Sequence, residues 1–437
     1  MQLSEQSNLG IQKARQFDID WLRVILFGLL IWFHYAVFSL GQIDGEDKNM
    51  ELFNIPLFIV LGVMHQWRLA ALFVISGMGT AFAFRKRTLK TYVKERIVRL
   101  GLPLIFVTYF LFFGVFSPFK TLLGFFVLFP GEEGMPYGHL WFVYNLLIYS
   151  ILLSPLFAHV NNHPEGRIVE CVRSILRIRY GIGILMMPSI ILAINGILFK
   201  PWAFGEVGMW WEFPRYLLFF LFGYLLISAK EEYYEALERI RVPITIVTPI
   251  IVILWCLSEV FSSVPNVMEG GWVHDGYAPF TLGTTIATIV QSLHAWFWCL
   301  LIFSWASKFL NKPNKWLSYL NEAVYPAYIV HFHLTFLPIG IFGFLGIGYY
   351  VGLSIGTIFV LIGVLICFES ARRAAYFRAV FGMKGNNDEV VKIYPYNEMK
   401  SRNHQILFAV LCHIITVLMI FGLNIMLISG GILLNES

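Results

Sequence analysis

The chain has 437 residues, of which 58% are hydrophobic and 14% charged, and its formal net charge is +5. A soluble protein carries about 25% charged residues, so a water-soluble globule is excluded. The apolar runs are continuous, which excludes a lipid-spanning barrel, whose strands alternate.

What remains is an all-α, polytopic transmembrane helical bundle, each crossing needing about 20 apolar residues. In chain order the sequence predicts eleven helices, at about 19–41, 66–84, 100–117, 139–158, 181–199, 214–229, 243–262, 283–306, 320–344, 347–368 and 405–430. Residues 52–65 read as a re-entrant or interfacial segment. The first run is too long for a cleavable leader and is preceded by Asp18 and Asp20, so it is expected to be retained. Residues 370–404 are polar and read as a linker before a last, appended helix. No internal repeat points to an inverted-repeat transporter.

The distribution of charge predicts orientation. With the N-terminus cytoplasmic, 26 of the 32 Lys and Arg residues fall in inside segments, and the outside loops hold Lys48, Lys120 and Lys200. That asymmetry follows the positive-inside rule. It accounts for the net charge without an anionic partner, and no nucleic acid is expected. The remaining three, Arg23, Arg68 and Arg215, lie in or at the edge of helices. The five cysteines are isolated and show neither metal spacing nor a disulfide framework, and no metal is expected.

Ionisable groups inside a membrane are costly and mark functional sites by default. In WLRVILFGLLIWFH, Arg23 and His34 are eleven residues apart, which is about 20° more than three full turns. They share one face roughly 16 Å apart along the axis, and Asp20 can reach Arg23 on that face. The plainer alternative is a snorkelling arginine and a packing histidine. In HQWRLAALFVISGMG, Arg68 stands at the outer helix end, and Ser76, Gly77 and Gly79 are small enough for close helix packing. Arg96 and Arg99 are three residues apart before the third helix. They either anchor the membrane edge or clamp an anion, since arginine forks suit phosphates. His139 and Trp141 open the fourth helix, where a belt role is the ordinary one for Trp141. Arg215 opens a later helix that contains Gly223. In NEAVYPAYIVHFH, Tyr325, Tyr328 and His331 share one flank, as a site lining or an aromatic seam, with Glu322 just before them; His333 points elsewhere. His274 and Asp275 read as a solvated loop pair. There is no phosphate-binding P-loop, no HExxH and no GxSxG.

Six segments together carry a resemblance. They are DWLR with the following ten-residue interval to His34, WRLAALFVISG at 67–77, YVKERIVRLGLP at 92–103, GHLWFVYNLL at 138–147, RYLLFFLFGYLL and AVYPAYIVHFH. In this order they resemble the motifs of the acyltransferase 3 family of integral membrane O-acyltransferases. Ala323-Val324-Tyr325 departs from the Ser-Tyr that often opens the last motif, and the final helix lies outside the core motifs. The resemblance implies a ten-helix acyltransferase domain over 1–368, a cytoplasmic linker over 369–404 and an appended helix over 405–437. It also implies transfer of an acetyl or succinyl group from cytoplasmic acyl-CoA to a hydroxyl of a carbohydrate or other envelope acceptor. The roles expected on that basis are His34 as general base or acyl carrier, with Asp20 and Arg23 on the same helix nearer the donor. Arg23, Arg96 and Arg99 would bind the donor phosphates or polarise the thioester carbonyl. Arg68, His139, Trp141, Tyr325, Tyr328 and His331 would line the acceptor side. The rival expectation from another class is a secondary transporter that uses the same His and Arg groups. Membrane acyltransferases that pair a His with an Asn are a same-class alternative, disfavoured by the Arg-to-His spacing.

Overall fold

A computed structural model describes residues 16–40, 48–85, 87–107, 138–199, 212–268, 282–373, 375–383 and 407–420, with residues 404 and 422 besides. Among these residues the secondary structure is helical, as the apolar runs require. The long helices are α1 (Phe17–Ser39), α2 (Lys48–Phe84), α8 (Ile182–Phe199), α9 (Glu212–Ser228), α10 (Lys230–Met268), α11 (Leu282–Phe309), α12 (Leu317–Phe344) and α13 (Tyr349–Arg373). Shorter pieces between them are α3 (Leu89–Arg96), α4 (Leu102–Phe106), α5 (Trp141–Leu152), α6 (Ser154–Asn162) and α7 (Arg167–Arg177). The described chain ends with α14 (Ala375–Val380) and α15 (Leu407–Ile420).

Seven of these helices are long and apolar enough to cross a bilayer, and α5 with α6 makes an eighth if the bent pair is one crossing. The bend between α5 and α6 is 52°, where Pro155 opens α6 and cannot donate to the preceding turn. The predicted third and eleventh helices extend beyond the described residues. Lys120, Lys200, His274, Asp275 and all of 384–403 lie outside the described residues.

Three expectations need correction. Residues 52–65 are not a separate re-entrant segment: they are part of the 37-residue helix α2, which runs through Pro56. Residues 230–242, expected in a loop, are the first turns of α10, because Tyr233, Ala236, Leu237 and Ile240 bury one stripe at helical spacing. The inside segment 159–180 contains α7, an amphipathic helix whose Val169 and Leu176 face the core. Its polar side carries Arg173, which pairs with Glu165 at 2.5 Å and with Glu232 of α10 at 3.6 Å. The hydrogen bond from Arg173 holds the Glu165 carboxyl below its ordinary range.

The small residues act as read. A Cβ on Gly77 would lie 2.0 Å from the Phe220 carbonyl oxygen, and one on Gly223 would lie 1.9 Å from that of Val74. Two glycines therefore let the backbones of α2 and α9 touch. Helix α12 packs against both α1 and α13, and the site lies between α1, α2 and α12.

Candidate active site

Three helices present matched stripes to one axis. On α1 the stripe is Arg23, Phe27 and His34. On α2 it is Gly79, Ser76, Leu72 and Arg68, running the opposite way. On α12 it is Asn321, Tyr325, Tyr328 and His331. Each stripe steps by three, four or seven residues, so each keeps to one helix face.

At the Arg23 end the stripes enclose a cavity of about 320 Å³. Its walls include Arg23, Phe27, Leu72, Ser76, Gly79, Arg96, Arg99, Phe142, Asn321, Tyr325, Tyr328 and Gly382. Among the described residues three guanidinium groups thus border it, and no carboxylate does. Arg23 Nη1 donates to Asn321 Oδ1 at 2.9 Å and to Asp20 Oδ1 at 3.4 Å. Asn321 closes the triangle by donating from Nδ2 to Asp20 Oδ1 at 3.0 Å. Gly79 leaves room for the arginine, since a Cβ there would sit 3.2 Å from Arg23 Nη2. Arg96 and Arg99 reach the same cavity across a five-residue π-helical turn, Ile97–Gly101. Such wider turns recur at functional sites.

Residues 375–383, expected in the linker, form part of this end. Arg99 Nε donates to the Gly382 carbonyl at 3.4 Å, and Arg378 pairs with Glu322 at 3.3 Å. Gly382 has φ +67°, and a Cβ there would lie 2.0 Å from Tyr325 Cε1. A glycine is required on both counts.

Beyond the cavity stand the histidines. His34 Nδ1 and His331 Nε2 are 2.9 Å apart, and the rings are nearly parallel at 14°. His331 Nδ1 lies 2.6 Å from the Tyr328 carbonyl oxygen. A carbonyl only accepts, so His331 carries its proton on Nδ1 and presents a bare Nε2. His34 must then donate from Nδ1, which leaves the lone pair of its Nε2 unused by any described residue. Phe27 and Tyr328 line the cavity and also touch His331, with ring centroids 5.7 Å and 5.4 Å from it. These two rings separate the cavity from the dyad. On its other side His34 meets Phe38 and Phe332, each with its ring centroid 5.8 Å away.

His139 is fixed beside the dyad. Its Nε2 bonds the Ile329 carbonyl at 3.0 Å, and the Tyr328 hydroxyl donates to the His139 carbonyl. Trp141 is placed elsewhere: it packs against Phe73 and Tyr216 and does not line the cavity. Arg68 is not in the cavity wall either, but lies over the Phe33 ring next to His34. Asn321, Phe27 and Gly382 are site residues that the sequence reading passed over. Asn321 carried a signal, because it stands seven residues before Tyr328 on the stripe already singled out.

The family model for the acyltransferase domain of type 3 matches residues 16–369. The chain belongs to the acyltransferase 3 family. This membership makes it a multi-pass membrane acyltransferase. Curated relatives include the glucans biosynthesis protein C of Escherichia coli strain K12, and that of Escherichia coli O157:H7. Each is 22% identical over 345 residues, covering 74% of this chain and 83% of the relative. No solved structure matches the chain. Between the two expectations from sequence, acyltransferase and transporter, family membership favours the enzyme. Among the described residues no group of His, Cys, Asp or Glu is placed to hold a metal ion.

Proposed function

We propose that this acyltransferase moves an acetyl or succinyl group from cytoplasmic acyl-CoA to a hydroxyl of a carbohydrate acceptor, with His34 as the general base. The observation that carries this reading is the hydrogen-bond chain from Tyr328 through His331 to His34, which leaves His34 Nε2 as a lone pair. A hydroxyl is a poor nucleophile near neutral pH, and a positioned base accelerates its attack by about 10²–10⁴-fold.

In the proposed step the acceptor oxygen forms a bond to the thioester carbonyl carbon while its proton passes to His34 Nε2. The carbon–sulfur bond then breaks, and the imidazolium returns the proton to the leaving thiolate. His331 supports the charged intermediate of His34 by accepting from its Nδ1–H. The three arginines around the cavity suit the phosphates of the donor, with the N-terminus cytoplasmic as the charge count predicts. The relatives are named for glucan biosynthesis, which favours a glucan as acceptor.

The test uses purified protein in nanodiscs with acetyl-CoA or succinyl-CoA and a soluble glucan. Thiol release and acceptor mass are followed together. Acylated glucan from the native protein and none from His34→Ala supports the reading. Equal product from both removes His34 as the base.

A further inference from the structure

The loop count leaves three arginines in or at the edge of helices: Arg23, Arg68 and Arg215. Two of them have a carboxylate. Arg23 pairs with Asp20, and Arg215 pairs with Glu212 at 3.3 Å. Arg68 has none among the described residues. It is 1% exposed, and its Nε and Nη1 have no hydrogen-bond partner among the described residues. Its guanidinium carbon lies 3.7 Å from the centre of the Phe33 ring. That ring supplies only a weak cation–π partner for a buried charge.

A buried, unpaired guanidinium costs free energy in the resting protein. Arg23 and Arg215 are paired, Arg68 has no such pair among the described residues, and its position says toward what. Arg68 lies one turn beyond Leu72, on the cavity-lining face of α2. His34 and His331 likewise continue the cavity-lining faces of α1 and α12. Phe33 bridges the two sides: its ring is 6.0 Å from that of His34. The Arg68 charge is close enough to act on both His34 and His331. The neighbouring titratable groups are His65, stacked on Phe33 at 5.9 Å, and Tyr216, and neither is an anion at neutral pH. Arg68 and the base therefore meet the same Phe33 ring, and among the described residues no carboxylate pairs with this guanidinium.

We propose that Arg68 is a catalytic residue that receives the negative charge developing on the thioester carbonyl oxygen as the acceptor hydroxyl attacks. The proposal rests on the acyl-transfer reading above. When the acceptor oxygen adds to the carbonyl carbon, the π pair moves onto the carbonyl oxygen, beside the Arg68 N–H groups. When the carbon–sulfur bond breaks, that pair returns and the charge leaves with the thiolate, which His34 protonates. An unpaired donor waiting in a dry site is the arrangement that stabilises such a charge most. The same donors would bind the free carboxylate of a dicarboxylic acyl group, and the experiment separates the two sources of negative charge.

The test compares Arg68→Met, Arg68→Lys and His34→Gln in nanodiscs, with acetyl-CoA and succinyl-CoA as separate donors. Turnover, KM and melting temperature are measured for each. Removing one donor to an oxyanion lowers kcat by about 100-fold or more. The expected result is that loss for Arg68→Met with both donors, with the KM for acyl-CoA changed little. Its melting temperature should be unchanged or raised, because a buried unpaired charge has been removed. Arg68→Lys should recover part of the rate, and carries the test if the Met variant fails to fold. Three results overturn the proposal: native kcat in Arg68→Met, loss of rate only in proportion to loss of folded protein, or a defect confined to the KM for succinyl-CoA. The last assigns Arg68 to the acyl carboxylate instead. If His34→Gln transfers normally, the base assignment falls first. If His34→Gln is dead and Arg68→Met is normal, only the role of Arg68 falls.

Discussion

His34 and His331 stand 297 residues apart in the chain and meet through one hydrogen bond of 2.9 Å. The bond joins α1 to α12, and the Tyr328 carbonyl fixes its polarity from behind. In the proposed mechanism His331 acts through His34, by accepting from its Nδ1–H. Replacing it with Phe keeps the aromatic volume and removes the acceptor for His34 Nδ1–H. The expected outcome is a 10- to 100-fold fall in kcat, on the order of what misorienting a general base removes, with little change in the KM for acyl-CoA. Steady-state thiol release checks it, and a change confined to KM would point to a binding role.

The three guanidinium groups at the cavity should act mainly on donor binding. Arg99→Gln and Arg23→Gln are each expected to raise the KM for acyl-CoA by about tenfold, as loss of one charge-assisted contact of about 1.4 kcal/mol would. The effect of Arg99 should shrink in high salt, because that residue is half-exposed and screening weakens such attractions. Competition by 3′-phosphorylated ADP against acyl-CoA gives a second readout of the same contacts.

Asn321 holds Asp20 and Arg23 together, with hydrogen bonds of 3.0 and 2.9 Å. Asn321→Ala removes both and leaves only the 3.4 Å pair between the charged groups. The expected cost is about 1–3 kcal/mol in stability, read as a lower melting temperature, together with a raised KM for the donor. Asn321→Asp should be worse, because it adds a second carboxylate beside Asp20 and leaves Arg23 shared between them.

Close approach of α2 and α9 sets the position of the stripe that carries Arg68. A Cβ on Gly223 would stand 1.9 Å from the Val74 carbonyl oxygen, so backbone must move to admit it. Gly223→Ala is expected to destabilise by about 1–3 kcal/mol, visible in thermal melting in detergent. A melting temperature equal to that of the native protein would mean that the two helices are not in this contact.

Much of the bundle was legible in the sequence because apolar runs, charge asymmetry and small-residue motifs are local signals. Arg23 and His34 on one face followed from eleven-residue spacing, and both now face α12. Tyr325, Tyr328 and His331 were legible as a flank for the same reason. What was not legible is which flank meets which. Nothing local to His331 says that its Nε2 faces His34, and Asn321 was passed over because an amide carries no charge to flag it. Residues 375–383 looked like linker because their apolar stretch is too short to cross a bilayer and runs straight into a polar segment. Their role at the cavity depends on a tertiary contact between Gly382 and Tyr325. The extension of α10 was missed because its first turns are amphipathic rather than apolar, and a hydropathy reading starts only where the charges stop.

The most direct test of the central claim is a single-turnover measurement of acyl transfer by the native protein and His34→Ala in nanodiscs, with labelled acyl-CoA and a soluble glucan at saturating concentration. The prediction is stoichiometric release of CoA with label on the glucan for the native protein. For His34→Ala it is no label on glucan above the uncatalysed background, while folding and donor binding are retained. Label appearing on the glucan at the native rate in His34→Ala would contradict the assignment of His34 as the base.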